Sequence, residues 1–209
     1  MKNVFFKPWI GNDYNSGGIF GKKVLVVGES HYCQKETCPE CGNPEYAGEC
    51  ADFTTDVVNS YLSEDEKNGR WTATFKKFEK SMIGPNAYSV SSKEIWKSIA
   101  FYNFLQIAMN GPRQGGAYTD YENSVSAFWE VMEELQPEVM IAWGVTRMYD
   151  NMPGGDTWHR ENDIVVDGYH VRNGWYTLKS GKRVRAIWVY HPSAGYSWDW
   201  WHKVIKEVL

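Results

Sequence analysis

Polar side chains of four different kinds follow one another directly after the first apolar run of the sequence. The run Lys23–Val27 ends at a glycine, and Glu29, Ser30, His31 and Tyr32 come next. They offer a carboxylate, a hydroxyl, an imidazole and a phenol. A buried strand has no use for such groups at its carboxyl end, whereas α/β proteins bind ligands there. These residues are therefore predicted to form a wall of a pocket.

Polar residues also accompany two later apolar runs. Asn103 interrupts the run at 99–105, and His191 and Ser193 follow the predicted strand Arg183–Tyr190. Because the carboxyl ends of parallel strands share one edge of a sheet, these side chains are expected to lie near the first group. Each also has a structural explanation: Asn103 would cap a turn, or His191 would bind a backbone carbonyl. Their placement at the ends of separate strands favours the functional explanation.

The cysteines of the chain are all found in one short segment. They have the spacing C-x4-C-x2-C-x8-C, as Cys33, Cys38, Cys41 and Cys50. Thiolates gathered so closely suit tetrahedral zinc, and His31 is close enough to replace one of them. The sequence thus predicts a structural zinc site in a loop at about 31–52. An iron–sulfur cluster, free thiols and disulfides are the alternatives.

The elements that must position these groups alternate between strands and helices. A helix is predicted at Phe53–Leu62, a second by the buried stripe Trp71, Phe75, Phe78 and Met82, and a core strand at Val139–Trp143. Alternation of this kind predicts an α/β fold, an αβα sandwich around a mainly parallel four-stranded sheet.

Hairpin turns are predicted in the stretch before the last strand. Three dipeptides that favour turns lie there, Asp167–Gly168, Asn173–Gly174 and Ser180–Gly181. Such pairs supply the left-handed backbone that tight hairpins require.

Composition sets the class of protein. The 209 residues, 43% of them hydrophobic and 23% charged, fit a single domain over 1–209, expected to be a monomer. A net charge of −4 argues against a dedicated nucleic-acid binder. Neither a signal peptide nor an apolar stretch of about 20 residues is visible, which predicts a cytoplasmic protein without a membrane partner. The aromatic content of 16% predicts a well-packed core or, alternatively, surfaces that stack on bases or sugars.

Three segments together resemble the uracil-DNA glycosylase superfamily. KVLVVGES (Lys23–Ser30) looks like its first motif, and SIAFYNFLQ (Ser98–Gln106) is similar to the strand whose asparagine reads the base. PEVMIAWG (137–144) and AIWVYHPS (Ala186–Ser193) resemble the remaining core strands, the second with the family's His-Pro-Ser. The resemblance implies an αβα fold and a role in base excision repair of DNA.

The resemblance also implies roles for individual residues. His191 would donate a hydrogen bond to the departing base, Asn103 would pair with the base edge, and Ser193 would contact a DNA phosphate. Glu29 matches the acidic form of the first motif, and Ser30 stands where many members position a water with Asp or Asn. Tyr196 is the candidate wedge for opening the duplex.

Two other functions remain open at this point. One is a non-catalytic module that binds a nucleotide or nucleic acid, with a structural zinc. The other is a hydrolase that uses Glu29 and His31 on a different ligand. The activity implied by the resemblance is hydrolysis of the N-glycosidic bond of uracil or another damaged base.

Overall fold

The computed structural model describes residues 1–33, 41–63, 71–111, 114–193 and 195–209. The strands in these ranges are β1 (Trp9–Ile10), β2 (Val24–Gly28), β3 (Ile99–Asn103), β4 (Val139–Trp143), β5 (Trp158–Arg160), β6 (Ile164–Val166), β7 (Tyr169–Val171), β8 (Asn173–Thr177) and β9 (Arg183–Val189). The helices are α1 (Phe53–Leu62), α2 (Thr72–Ile83), α3 (Ser92–Lys97), α4 (Tyr118–Leu135), α5 (Arg147–Asn151) and α6 (Trp198–Lys206). None of these helices is long and apolar enough to cross a membrane.

The central sheet is mixed and mostly parallel at its centre. Its strand order is β1-β3-β2-β4-β9-β8-β5, and β3, β2, β4 and β9 run parallel to one another. The predicted α/β class and parallel core are confirmed, but the prediction of four strands is wrong, because seven strands of the described chain join this sheet. The antiparallel β1 and β5 have only two and three residues, too few for an alternating pattern to reveal them.

Helices pack against both faces of the sheet. Along β2, Val24 and Val26 belong to a cluster with α1, α2, α3 and α6, whereas Leu25 and Val27 belong to a cluster with α4 and α5. Since successive side chains of a strand point to opposite faces, a strand covered on both sides is apolar throughout. This explains the continuous apolar run of β2 and leaves only its carboxyl end for polar groups.

The Asn173–Gly174 pair forms no turn, in contrast to the sequence-based prediction. Both residues lie in β8, and the Asn173 amide is fully buried, donating to the Asn162 carbonyl at 2.8 Å. A Cβ at Gly174 would lie 2.4 Å from the carbonyl oxygen of His159 in β5. The glycine is therefore required by the close approach of a neighbouring strand.

The other two predicted turns are confirmed. Asp167 and Gly168 connect β6 to β7 with φ of 51° and 81°, and Gly181 connects β8 to β9 with φ of 82°. The first of these hairpins lies outside the main sheet and packs near α6.

Candidate functional site

The residues predicted from three strand ends meet around one cavity. It has a volume of about 270 Å³ and lies at the carboxyl edge of the parallel strands. Among the predicted site residues, those that line it are Glu29, Ser30, His31, Tyr32, Asn103 and His191. Ser193 contacts the cavity indirectly, through His191. The rule that the carboxyl ends of parallel strands share one edge of the sheet (the edge rule) therefore predicted correctly that these residues lie together.

The remaining walls of the cavity are largely aromatic. They come from α1, the start of α2 and the ends of β3 and β4, as Phe53, Val57, Trp71, Thr74, Phe75, Phe101 and Trp143. The sequence had indicated Trp71 and Phe75 only as a core stripe. Phe75 is buried on the face of α2 that packs against the sheet. Trp71 precedes α2 and is 38% exposed, so the prediction that it belongs to the buried stripe is wrong.

Glu29 is held by two partners that sequence reasoning missed. Its Oε1 and Oε2 accept from Nε and Nη2 of Arg147 at 2.5 and 2.7 Å, and Oε1 also accepts a short hydrogen bond from the Tyr121 hydroxyl. A carboxylate has about four acceptor positions, so one position on Oε2 is left for water or ligand. Glu29 is therefore a fixed acceptor in this site. Arg147 follows the end of β4, so the same edge rule, applied to that strand, would have found it.

His31 and Asn103 form a buried polar pair. Nε2 of His31 lies 2.9 Å from the Thr54 hydroxyl, and the ring stacks on Phe53 with centroids 4.6 Å apart. Nδ2 of Asn103 lies 3.2 Å from Nδ1 and 3.1 Å from Nε2 of the same ring. Burial lowers the pKa of His31 to about 3, so the imidazole is neutral at physiological pH. His31 thus helps to fix the Asn103 amide, which lines the cavity.

A close contact with Gly28 also fixes the Asn103 amide. A Cβ at Gly28 would lie 2.1 Å from Oδ1 of Asn103, although the glycine backbone is in a region open to any residue. Gly28→Ala is therefore expected to leave the fold intact but to displace the amide. If Asn103 pairs with a base edge, as the resemblance implies, binding of free uracil should weaken about tenfold or more through the lost hydrogen bonds.

Titration of free uracil, followed by tryptophan fluorescence, measures this effect. Gly154→Ala is the matched control, because a Cβ at Gly154 meets nothing within 4 Å. Equal affinity of the Gly28→Ala variant and the unchanged protein would show that Asn103 does not contact the base.

The orientation of His191 follows from its hydrogen bonds to Ser193. Nδ1 accepts from the backbone N–H of Ser193 at 3.2 Å and lies 2.7 Å from its hydroxyl. An Nδ1 that accepts leaves the proton of the neutral ring on Nε2. Burial lowers the pKa of His191, although the charge of Glu29 acts in the opposite direction. His191 is therefore a neutral donor at the cavity.

Two further polar atoms at the cavity have no partner within the described residues. The indole N–H of the buried Trp143 makes no hydrogen bond, and neither does the Ser30 hydroxyl. A buried donor left without an acceptor costs about 1–3 kcal/mol. Both atoms are thus available to a bound ligand or water.

Tyr196 does not have the exposure that a wedge needs. Its ring is buried and stacks on Trp201 with centroids 5.9 Å apart, and its hydroxyl lies 2.7 Å from that of Ser81. The expectation that Tyr196 opens a duplex is therefore wrong. This aromatic residue packs helix α6 against α2.

The cysteine segment is described in part. Cys38 lies outside the described residues, and in the part of the chain that is described no three His, Cys, Asp or Glu residues are close enough to hold a metal. The backbone N–H of Ala108 donates to Sγ of Cys41 at 3.2 Å, and the N–H of Cys33 donates to the Met109 carbonyl at 2.9 Å. Cys33 and Cys41 are thus both attached to the 107–109 segment, while Cys50 is exposed.

The cavity therefore combines one ion-paired carboxylate, one buried amide, two neutral histidines and aromatic walls. The Asn103 amide and His191 lie on opposite sides of the end of β2, on β3 and after β9. Comparison of the sequence with protein-family models and with curated proteins finds no match.

Proposed function

We propose that this chain is a uracil-DNA-glycosylase-like protein that holds an unstacked nucleobase and hydrolyses its N-glycosidic bond. The observation that carries the proposal is the convergence of Glu29, Asn103 and His191 on one aromatic cavity. The finer description of the fold, a three-layer αβα sandwich of the glycosylase type, belongs to the same proposal. The parallel core and the helices on both faces support it.

The shape and chemistry of the cavity suit a planar heterocycle. At about 270 Å³ it is smaller than the usual range for drug-sized ligands, and Phe53, Phe75 and Phe101 offer faces and edges for a ring. An amide recognises a base edge well because it combines a donor with an acceptor. A base in a duplex must leave the stack to reach such a pocket.

In the proposed reaction, a water oxygen bonds to the sugar carbon as the bond from that carbon to the base nitrogen breaks. The electron pair of the broken bond moves onto the base, whose carbonyl oxygen becomes negative. His191 donates a hydrogen bond from its Nε2–H to that oxygen and keeps the proton. The fixed carboxylate of Glu29 stabilises the positive sugar, and the Ser30 hydroxyl orients the water, whose proton goes to solvent.

A non-catalytic module for a nucleobase or nucleotide is the second candidate. It is favoured by the pairing of Glu29 with Arg147, which offsets the negative charge that the sugar would need. Ser30 also stands where many members of the superfamily that the sequence resembles have an Asp or Asn to position the water. Binding without cleavage requires only Asn103, His191 and the aromatic walls.

Uracil-containing DNA distinguishes the two candidates. Single- and double-stranded oligonucleotides with one uracil are incubated with the protein, and abasic sites are detected by alkaline strand cleavage. If the proposed activity is present, abasic sites should form in the oligonucleotides that contain uracil. Tight binding of the same oligonucleotides without cleavage, on uracil and on a panel of damaged bases, would assign the chain to the non-catalytic class.

Glu29→Gln tests the carboxylate itself. The amide keeps the size of the side chain and an acceptor oxygen but removes the negative charge. Base release should fall by about 10²-fold, while binding of free uracil stays within about twofold, since the charge acts on the sugar. The exposed Glu122→Gln is the matched control. An unchanged rate would remove Glu29 from the reaction.

We also propose that Cys33, Cys38, Cys41 and Cys50 bind a structural Zn²⁺. The N–H to Sγ contact at Cys41 supports this, because such hydrogen bonds stabilise thiolates that ligate metals. Metal analysis of the purified protein should give one zinc per chain, lost in Cys38→Ser. Iron and a brown colour would show a cluster instead, and a metal-free folded protein would overturn both.

A further inference from the structure

A second depression lies beside the cavity, at the same edge of the sheet. This groove has a volume of about 730 Å³ and is formed by the β6–β7 hairpin, the segment after β4, the end of β9 and the start of α6. No pattern in the sequence indicates this groove, because its walls come from four separate parts of the chain.

The groove and the cavity share two segments of the chain. At the end of β4, Trp143 lines the cavity and Thr146, three residues later, lines the groove. After β9, His191 lines the cavity and Tyr190 lines the groove. Since β4 and β9 pair in parallel, with Trp143 opposite Val189, these ends lie side by side. A ligand that extends out of the cavity across this edge would enter the groove.

The groove offers aromatic faces to a ligand. Tyr169, on the hairpin, is 69% exposed and packs edge-on against Trp200, while Tyr190 is 48% exposed and packs against Trp201. Large exposed aromatics that cluster in a concave surface are typical of sites that stack on planar groups.

The polar groups of the groove favour an anionic ligand rich in acceptors. The described residues that line it include no carboxylate, and Arg172 is their one permanent cation. The Arg172 guanidinium stacks on Tyr149 at 4.6 Å and makes no ion pair with a described carboxylate. The indole N–H of Trp200 is buried and has no partner among the described residues. The buried indole N–H therefore lacks an acceptor, and the exposed Arg172 guanidinium is open to pairing with an anion.

We propose that the groove binds the nucleotide next to the base held in the cavity, as part of a single-stranded nucleic acid. One base stacks on Tyr169 or Tyr190, and its phosphate pairs with Arg172. The position of the neighbouring base rests on the proposed function. The aromatic and cationic contacts rest only on the residues that line the groove. A peptide is less well matched, because a backbone without negative charge leaves Arg172 unpaired.

Binding of a labelled eight-residue oligodeoxythymidine, which contains no uracil, tests the groove apart from excision. Tyr169→Ala should weaken binding between about fivefold and a hundredfold, the usual loss for one stacked base. Arg172→Gln should lower the slope of log affinity against log salt by about 0.7, the value for one phosphate contact on a single strand. Fluorescence anisotropy at several salt concentrations measures both.

Two substitutions away from the groove are the matched controls. Tyr88 is 89% exposed, and Arg183 lies at the amino end of β9, at the opposite edge of the sheet. Tyr88→Ala and Arg183→Gln should bind the oligonucleotide as the unchanged protein does.

The outcomes separate the two proposals. Weaker binding and a lower salt slope in the groove variants support the groove, even if no base is ever excised. Excision of uracil with unchanged oligonucleotide binding in both groove variants would overturn the groove and leave the proposed function standing. Failure of the unchanged protein to bind the oligonucleotide would also overturn the proposal for the groove.

Discussion

His191→Ala is expected to lower the rate of base release by about 10²–10³-fold. The substitution removes the donor that faces the oxygen on which negative charge develops, and single donors of this kind contribute about that much. Single-turnover release of uracil from a single-stranded oligonucleotide measures the effect. The exposed His159→Ala is the matched control and should change nothing. A loss of less than about threefold in His191→Ala would exclude His191 as the donor.

Ser193→Ala is expected to lower the rate in the same direction as His191→Ala, but by less. Its backbone N–H donates to Nδ1 of His191 and persists in Ser193→Ala, which removes only the hydroxyl at 2.7 Å. The loss of rate should therefore be much smaller than in His191→Ala. If Ser193 instead contacts a DNA phosphate, Ser193→Ala will weaken binding of DNA and lower its salt slope while single-turnover release at saturation stays constant.

The pH dependence of the rate follows from the same ring. Burial lowers the pKa of His191, so the neutral form persists below pH 6.5, where an exposed histidine takes up a proton. The rate should stay level as pH falls from 8 to 6.5 and decline only at lower pH. A decline that begins above pH 6.5 would show that the protonated ring, or another group, governs the reaction.

The sequence predicted the cavity through one physical rule and missed what that rule does not cover. Apolar runs that end in polar residues located Glu29, Asn103 and His191 correctly, because strand ends at one sheet edge must be neighbours. The same rule brings Arg147, which follows β4, to this edge, but nothing in the sequence shows that its guanidinium pairs with Glu29, 118 positions earlier. This pair changes Glu29 from a free carboxylate to a fixed one.

Short-range patterns failed where tertiary packing decided the outcome. Asn173–Gly174 has the composition of a turn, but β5 passes so close that only glycine fits, and the pair became part of a strand. Tyr196 follows His-Pro-Ser as a wedge would, but Ser81 and Trp201 draw it into the core. The spacing of Ser91 and Glu94, by contrast, is that of a capping box, and because this device is purely local it forms in the structure.

The high aromatic content predicted a well-packed core, and the buried tyrosines confirm this prediction. Tyr14, Tyr102 and Tyr176 are at most 1% exposed. Burial raises the pKa of each of the three phenols well above its usual value of about 10. The folded protein therefore keeps these hydroxyls protonated at a pH where an unfolded chain would release the protons.

The stability of this protein is consequently expected to fall steeply as the pH rises above 10. Above pH 10 the unfolded chain binds fewer protons than the folded one, so the free energy of unfolding falls as pH rises. Each of the three tyrosines contributes about 1.4 kcal/mol per pH unit, and together they lower stability by about 4 kcal/mol at pH 11. That is a large share of the roughly 5–15 kcal/mol of an ordinary domain. Circular dichroism and phenolate absorbance should report one shared transition.

Phenylalanine substitutions test whether the buried phenols cause this transition. Tyr176 donates to the Pro153 carbonyl at 2.8 Å, so Tyr176→Phe gives up one hydrogen bond, about 1 kcal/mol at neutral pH. It also removes one ionisable group, so the stability of the variant should fall less steeply above pH 10, by about 1.4 kcal/mol per pH unit. Tyr88→Phe, at a position open to water, should leave the slope unchanged. Equal slopes in Tyr176→Phe and the unchanged protein would mean that the folded core already admits the phenolate at that site.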